Sequence, residues 1–286
     1  MAHPFDVVWI HGSANCATNS DPPIQVHRFD QDTFILRQNK CIEPKTSFEG
    51  PFMYLLFGDD QALLLDTGAT PSPERFPIGK TVRGIIQDWL KEHGRQSIPL
   101  LICHSHAHSD HAEGDAQFTG PSVRIVPPTF SGVKQFFGFT NWPEQQSKVE
   151  LGNRTVDVIS TPGHEEAHLA FYDRRAKLLL SGDTLYPGLL VVRDWTAYKR
   201  SVARLKRFGD EMEIRFVLGA HIEMRSAPGK WFGLGQTFQP NEHVLQLEAR
   251  HLVELNDALT KLPVPRVERH DDFIIQPVNM PFPPGD

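Results

Sequence analysis

Apolar residues in this chain gather in short runs divided by turn-forming residues. The runs predict strands over Thr33–Arg37, Phe52–Phe57, Ala62–Leu65, Ile98–Cys103, Val123–Val126, Thr155–Ser160, His168–Tyr172 and Lys177–Leu180. Gly58-Asp59-Asp60 and Asp173-Arg174-Arg175 each separate two runs and read as hairpin turns. Elsewhere the period lengthens to that of a helix. Thr81–His93 ends at Gly94, a C-terminal stop, and Asp194 caps a helix to Phe208 whose buried stripe is Val202, Leu205 and Phe208. Asn241 is expected to cap a longer helix, 241–262, on which Val244, Leu247, His251, Leu255, Ala258, Leu259 and Leu262 fit the 3.6 period. A last strand is expected within Asp272–Val278, and residues 1–30 read as an irregular N-terminal extension before a single domain spanning 31–286. Strands alternating with helices, with hairpins among them, predict an α/β architecture with mixed sheets. The order strand, turn, strand, aspartate occurs at Asp66 and again at Asp183, which hints at an internal duplication.

Several runs end in a small, turn-forming sequence that carries a ligand-type residue. Ala62-Leu-Leu-Leu65 leads to Asp66-Thr-Gly68, Val156-Asp-Val-Ile-Ser160 to His164, Lys177-Leu-Leu-Leu180 to Asp183, and Ile214-Arg-Phe-Val-Leu218 to His221. Strand ends place side chains along one rim of a sheet, where sites are built. The densest case follows Pro99–Cys103: His106, His108, Asp110 and His111 fall within six residues. Three imidazoles and a carboxylate packed this tightly are costly to place together unless a cation binds them, and this donor set suits zinc or a similar divalent ion.

Composition narrows the classes. The net charge is −6, which argues against a nucleic-acid footprint. No apolar run approaches the roughly 20 residues that span a bilayer. The start Met-Ala-His-Pro-Phe-Asp lacks the basic-then-apolar plan of a secretory signal. Three cysteines make no disulfide framework; Cys103 reads as a small core residue, and Cys16 and Cys41 could pair, although a reduced state in a cytoplasmic protein is the simpler expectation.

Taken in order, His106-x-His108-x-Asp110-His111, His164, Asp183 and His221, with the Asp66-Thr-Gly68 turn before them, resemble the metallo-β-lactamase superfamily, distantly its glyoxalase II-like members. Ser105 stands where that family often has threonine, and the Cys-Gly-Arg continuation of glyoxalase II is absent after Gly182-Asp-Thr-Leu185. The resemblance runs from about Phe52 to His221 and implies a four-layer αβ/βα sandwich with two mixed sheets and metals in the groove between them. It implies His106, His108 and His164 as ligands of one metal, Asp110, His111 and His221 as ligands of a second, and Asp183 as the bridge. Asp66 would hydrogen-bond a metal-bound histidine and fix its tautomer. Tyr186 either donates to a developing oxyanion or packs beneath its loop. His104 takes a supporting or surface role, and His168, at the start of an expected strand, is structural or lines the rim.

The expected function is that of a dinuclear zinc hydrolase, with iron or manganese as alternative metals. It would cleave a small ester, thioester, lactone or amide by attack of a metal-bridging hydroxide on the carbonyl. A mononuclear iron dioxygenase held by His106, His164 and Asp183 is the alternative; Asp110, His111 and His221 favour two metals. A nuclease is disfavoured by the charge. The expected partner is a small molecule, with no nucleic acid and no membrane, and a homodimer is left open. The aromatic stretches Pro127–Gln146 and Met224–Gln239 are expected to flank the site, most of their rings packing onto the core. Arg225 and Lys230 read as solvated charges.

Overall fold

The computed structural model describes residues 5–286; residues 1–4 of the expected extension lie outside them. The chain first forms strands β1 (Ile24–Asp30), β2 (Thr33–Gln38), β3 (Phe52–Phe57) and β4 (Ala62–Leu65), then helix α1 (Ile78–Glu92), strand β5 (Leu100–Cys103), the single turn α2 (Ser109–Ala112), β6 (Val123–Ile125) and α3 (Phe130–Phe137). The second half runs β7 (Gln146–Glu150), β8 (Thr155–Ser160), β9 (Leu169–Asp173), β10 (Leu178–Gly182), β11 (Leu189–Val192), α4 (Trp195–Glu211), β12 (Phe216–Gly219), β13 (Gln246–Leu247), α5 (Arg250–Lys261), β14 (Glu268–Arg269) and β15 (Ile274–Pro277).

Strands β1 to β6 form one mixed sheet in sequence order, antiparallel up to β4 and parallel from β4 to β6. The other mixed sheet has the order β13-β12-β10-β9-β8-β7, with β10 and β12 parallel. A small third sheet, β11-β15-β14, was not expected from the sequence.

The pleat explains the layering. Leu56, Leu63, Leu65 and Leu101 of the first sheet pack against Val158, Leu169, Phe171 and Leu180 of the second. The alternate residues of the first sheet, Leu55, Phe57, Leu64 and Ile102, meet Ile78, Val82 and Trp89 of α1. On the far side Ile159, Tyr172, Leu179 and Val217 meet Val202, Leu205 and Phe208 of α4 and Leu252, Leu255 and Leu259 of α5. The order is therefore helix, sheet, sheet, helices: the four-layer αβ/βα arrangement. Strands covered on both faces read as unbroken apolar runs, and each fully buried Leu or Phe contributes about 1.5–3 kcal/mol. Arg154 fastens the two halves from within. Its guanidinium donates to Asp173 (3.0 and 2.6 Å), to the carbonyls of Asp32 and Phe57, and to Thr33 Oγ1.

Three expectations need correction. Residues 24–30 form β1 rather than irregular chain; polar Gln25, His27 and Arg28 interrupt its apolar residues and Val26 is exposed at the sheet edge, so no continuous apolar run announces it. The expected helix 241–262 begins only at Arg250. Asn241 has a left-handed φ of +59°, Val244 is exposed and Leu247 is buried through strand pairing with Val217, so its place in the 3.6 period is accidental. Cys16 and Cys41 form a disulfide, with Cα atoms 4.9 Å apart. Asn39 brings them together, its amide donating to Asn19 Oδ1 and to the carbonyls of Asp21 and Pro22. With that pair formed, cysteine usage no longer argues for a reducing compartment. Among the described residues no helix is long and apolar enough to cross a membrane.

Candidate metal centre

Five strands deliver their next residues to one rim. Strands β4 and β5 run parallel, and β8, β10 and β12 share a direction, so Asp66, His106–His111, His164, Asp183 and His221 all follow C-terminal strand ends. Glycine makes two of these turns feasible. At Gly182 (φ +51°) a Cβ would sit 2.7 Å from Ser105 Cβ and 2.8 Å from His168 Nε2; at Gly163 (φ +141°) it would strike Tyr198.

The seven expected ligands meet in two groups. His108 Nδ1 lies 2.8 Å from His106 Nε2 and 3.0 Å from His164 Nε2. Asp183 Oδ2 approaches the same group, 3.4 Å from His164 Nε2 and 3.8 Å from His106 Nε2. In the other group Asp110 Oδ2 lies 3.1 Å from His111 Nε2 and 3.3 Å from His221 Nε2. Asp183 Oδ1 approaches that group at 3.3 Å from His221 Nε2 and 3.7 Å from His111 Nε2. Each oxygen of Asp183 thus belongs to a different cluster. Ligands about 2.0–2.1 Å from a tetrahedral ion stand ~3.3 Å apart, in the middle of these separations.

Unpaired atoms make the same point. His111 Nε2, His221 Nε2 and Asp183 Oδ1 are buried without a hydrogen-bond partner among the described residues. Orphaned polar atoms of this kind are costly, and a cation among them removes the cost. The donor set and its spacing fit divalent metal.

A surrounding shell aims the rings. His111 Nδ1 lies 2.9 Å from Asp66 Oδ2, whose carboxylate also accepts the Ser105 backbone N–H (2.7 Å) and hydroxyl (2.9 Å). His164 Nδ1 donates to the Val191 carbonyl at 2.8 Å, which leaves Nε2 a lone pair directed at the cluster. His168, which the sequence reading left as structural or rim-lining, accepts the Asp183 backbone N–H at 3.1 Å and stacks on His106, so it holds the central aspartate in place. His104 stays outside both clusters and bonds Asp115 at 2.9 Å.

Electrostatics divide the imidazoles. Burial first, and then His164, lowers His108 to about 4; burial also holds His106, His164 and His168 below the usual range. Burial also pulls on His111 and His221, but the surrounding carboxylates outweigh it and raise both well above the ordinary value. Asp110 and Asp183 are held well below theirs, the neighbouring imidazoles overcoming burial. Sequence reasoning missed Glu49, in the loop between β2 and β3. Burial, and then Asp110, push its carboxyl up to about 8. No motif marks that loop.

Tyr186 is the site residue to correct. Its hydroxyl donates to the Leu189 carbonyl at 2.7 Å and lies 3.3 Å from Glu223 Oε2, so it packs beneath the loop and is not free to reach an oxyanion. The aromatic stretches likewise serve the core: Phe137, Phe139 and Trp231 are buried. Arg225 donates to the carbonyl of Asp286, and Lys230 pairs with its side chain. A cavity of about 550 Å³ opens beside His108 and His164, with Glu165, Glu166, Arg193 and Asp194 on its other walls.

A sequence model of the metallo-beta-lactamase superfamily matches residues 47–260. Acyl-coenzyme A thioesterase MBLAC2 of Homo sapiens is 25% identical over 177 residues, 52% of this chain and 62% of the relative. A hydroxyacylglutathione hydrolase of Mesorhizobium japonicum is 32% identical over 121 residues, 42% of this chain and 43% of that protein. The chain thus matches less than two thirds of the length of either curated relative. The crystal structure of a metallo-beta-lactamase from Erythrobacter litoralis superposes with a TM-score of 0.54 at 12% identity, covering 85% of this chain and 99% of that one. One from Pontibacter korlensis gives 0.51 at 14% identity over 84% and 100%.

Proposed function

Because this chain belongs to the metallo-β-lactamase superfamily, we propose that it is a dinuclear, zinc-type hydrolase that cleaves a small thioester or related ester. The observation that carries the reading is the division of Asp183, one oxygen facing each histidine cluster. Asp110, His111 and His221, gathered around the second oxygen, favour two ions over a single-ion oxygenase. The thioester preference is supported by the names of the curated relatives, an acyl-coenzyme A thioesterase and hydroxyacylglutathione hydrolases.

Bound divalent ions would supply a water of lowered pKa and polarisation of the scissile carbonyl. His106, His108 and His164 would hold one ion, Asp110, His111 and His221 the other, with Asp183 between. The chain's own contribution is orientation. Asp66 and the Val191 carbonyl set the tautomers of His111 and His164, and His168 fixes the backbone of Asp183. The cavity beside His108 and His164 gives the substrate its approach. The test is hydrolysis of a panel of thioesters, oxyesters, lactones and β-lactams by zinc-loaded protein. Thioester turnover that is lost in His108→Ala and on chelation is expected; inertness across the whole panel would contradict the reading.

A further inference from the structure

We propose that Glu49 is a positioning residue: its carboxyl accepts the Nδ1–H of His221 and aims that ring at the second ion. The inference rests on the two-ion reading and goes beyond it, giving a role to the loop between β2 and β3, which lies outside the ligand motifs. It starts from an unpaired atom. His221 is 1% exposed, and both of its ring nitrogens are buried without a hydrogen-bond partner among the described residues. Nε2, 3.3 Å from both Asp110 Oδ2 and Asp183 Oδ1, is accounted for by a cation. Nδ1 is not. An ion on Nε2 fixes the ring proton on Nδ1, so metal binding creates a buried donor that needs an acceptor. Three other ligand rings have theirs. His106 Nδ1 lies 3.1 Å from Ser105 Oγ, His111 Nδ1 2.9 Å from Asp66 Oδ2, and His164 Nδ1 2.8 Å from the Val191 carbonyl.

Glu49 is the acid placed to supply one. Lys40 Nζ donates to the Phe48 and Glu49 carbonyls, at 3.3 and 2.9 Å, which fixes the backbone of the loop. Beyond Glu49, the Phe52 N–H donates to the Ala220 carbonyl at 2.8 Å and ties the loop to the residue before His221. The Glu49 side chain is half-buried and makes no hydrogen bond or ion pair among the described residues. After burial, the groups that act most on its carboxyl are Asp110 and then His221, both of the second cluster. Other neighbours of His221 are engaged elsewhere. Glu223 Oε2 accepts the Leu189 N–H at 2.8 Å, and the Tyr186 hydroxyl, whose ring packs edge-on against His221, donates to the Leu189 carbonyl. A carboxyl oxygen can accept the His221 proton whether or not the group is ionised.

The experiment uses the full chain loaded with zinc: native, Glu49→Met, Glu49→Gln, Glu49→Asp and Glu223→Gln, each checked for fold by circular dichroism. Competition against a chromogenic chelator follows the two ions separately. Glu49→Met removes the acceptor at similar size and should weaken the ion held by Asp110, His111 and His221 about 10- to 100-fold, with the other ion nearly unchanged. Glu49→Gln keeps an acceptor oxygen and should recover most of the loss. Glu49→Asp withdraws the oxygen by one methylene and should show the same selective loss in smaller measure, which decides the matter if Glu49→Met does not fold. Proton–nitrogen spectra of the histidine rings give a second readout. The native His221 Nδ1–H, identified by its absence in His221→Asn, should be protected from solvent exchange, and Glu49→Met should lose that protection. Unchanged second-ion affinity and ring signal in Glu49→Met and Glu49→Asp would overturn the inference. Equal weakening of both ions would do so too, as a merely structural loss, and so would selective weakening in Glu223→Gln alone. A native chain that retains one ion would remove the two-ion reading beneath it. Absent turnover of every ester and thioester would strike the hydrolase reading alone, because zinc affinity and ring spectra decide the role of Glu49 without substrate.

Discussion

Replacing Asp66 by asparagine isolates what orients a histidine in the second cluster. The change keeps shape and suits the left-handed φ of +66°, which asparagine tolerates. Its oxygen can keep the Ser105 N–H now accepted at 2.7 Å. The other terminus becomes an NH2 facing Ser105 Oγ and His111 Nδ1, now 2.9 Å from carboxylate oxygen. A donor at that point forces the His111 Nδ1 to accept, which moves the ring proton to Nε2, the atom turned toward Asp110 and Asp183. Recovering the metal-binding tautomer then costs one hydrogen bond to a charged acceptor, about 1.5–3 kcal/mol, or roughly 10- to 150-fold in affinity for the ion that His111 would hold. Zinc competition against a chromogenic chelator measures this, with circular dichroism to establish that the fold is retained. The ion assigned to His106, His108 and His164 should be held nearly as before. Equal affinity of both ions for native protein and Asp66→Asn would refute the reasoning.

Other perturbations bear on the fold. Cys16→Ser with Cys41→Ser opens a link across 25 residues, worth ~3.5 kcal/mol on the chain-entropy estimate, so urea unfolding should show a loss of that order; unchanged stability would mean that the pair does not form in solution. Arg154→Met leaves Asp173 as an uncompensated buried charge and should cost about 3–5 kcal/mol by the same assay, whereas a loss below ~1 kcal/mol would show that the network contributes little. Burial lowers Lys40 from 10.5 to about 8, and its ammonium donates to the carbonyls of Phe48 and Glu49. Between those pH values the unfolded chain holds the proton that the folded chain has released, so this lysine makes stability rise with pH from about 8 to 10.5. Unfolding measured across that window should show a rise in native protein that is absent in Lys40→Met; parallel curves would contradict the assignment.

What the sequence made legible follows from where each signal originates. The inner strands were readable because both faces are buried, so Phe52–Phe57 and Leu178–Leu180 appear as continuous apolar runs. The ligands were readable because chelation demands particular side chains and strand ends demand small residues before them, as at Gly163-His164 and Gly182-Asp183. Features formed only by tertiary contact were not readable. Strand β1 borrows its order from β2, Leu247 from Val217, and Cys16 meets Cys41 only because Asn39 draws two distant segments together. Tyr186 illustrates the limit within the site: proximity to Asp183 in sequence left open which way its hydroxyl points, and the Leu189 carbonyl decides that. His168 acts through a hydrogen bond to the Asp183 backbone, which leaves no motif.

The most direct measurement of the central claim is metal stoichiometry. Elemental analysis of the purified native chain and of Asp183→Asn, after zinc loading and removal of excess, counts the ions that the two clusters retain. Two per native chain, with fewer in Asp183→Asn, is the expected result. A single iron per chain, or no retained metal in a folded native protein, would contradict the account.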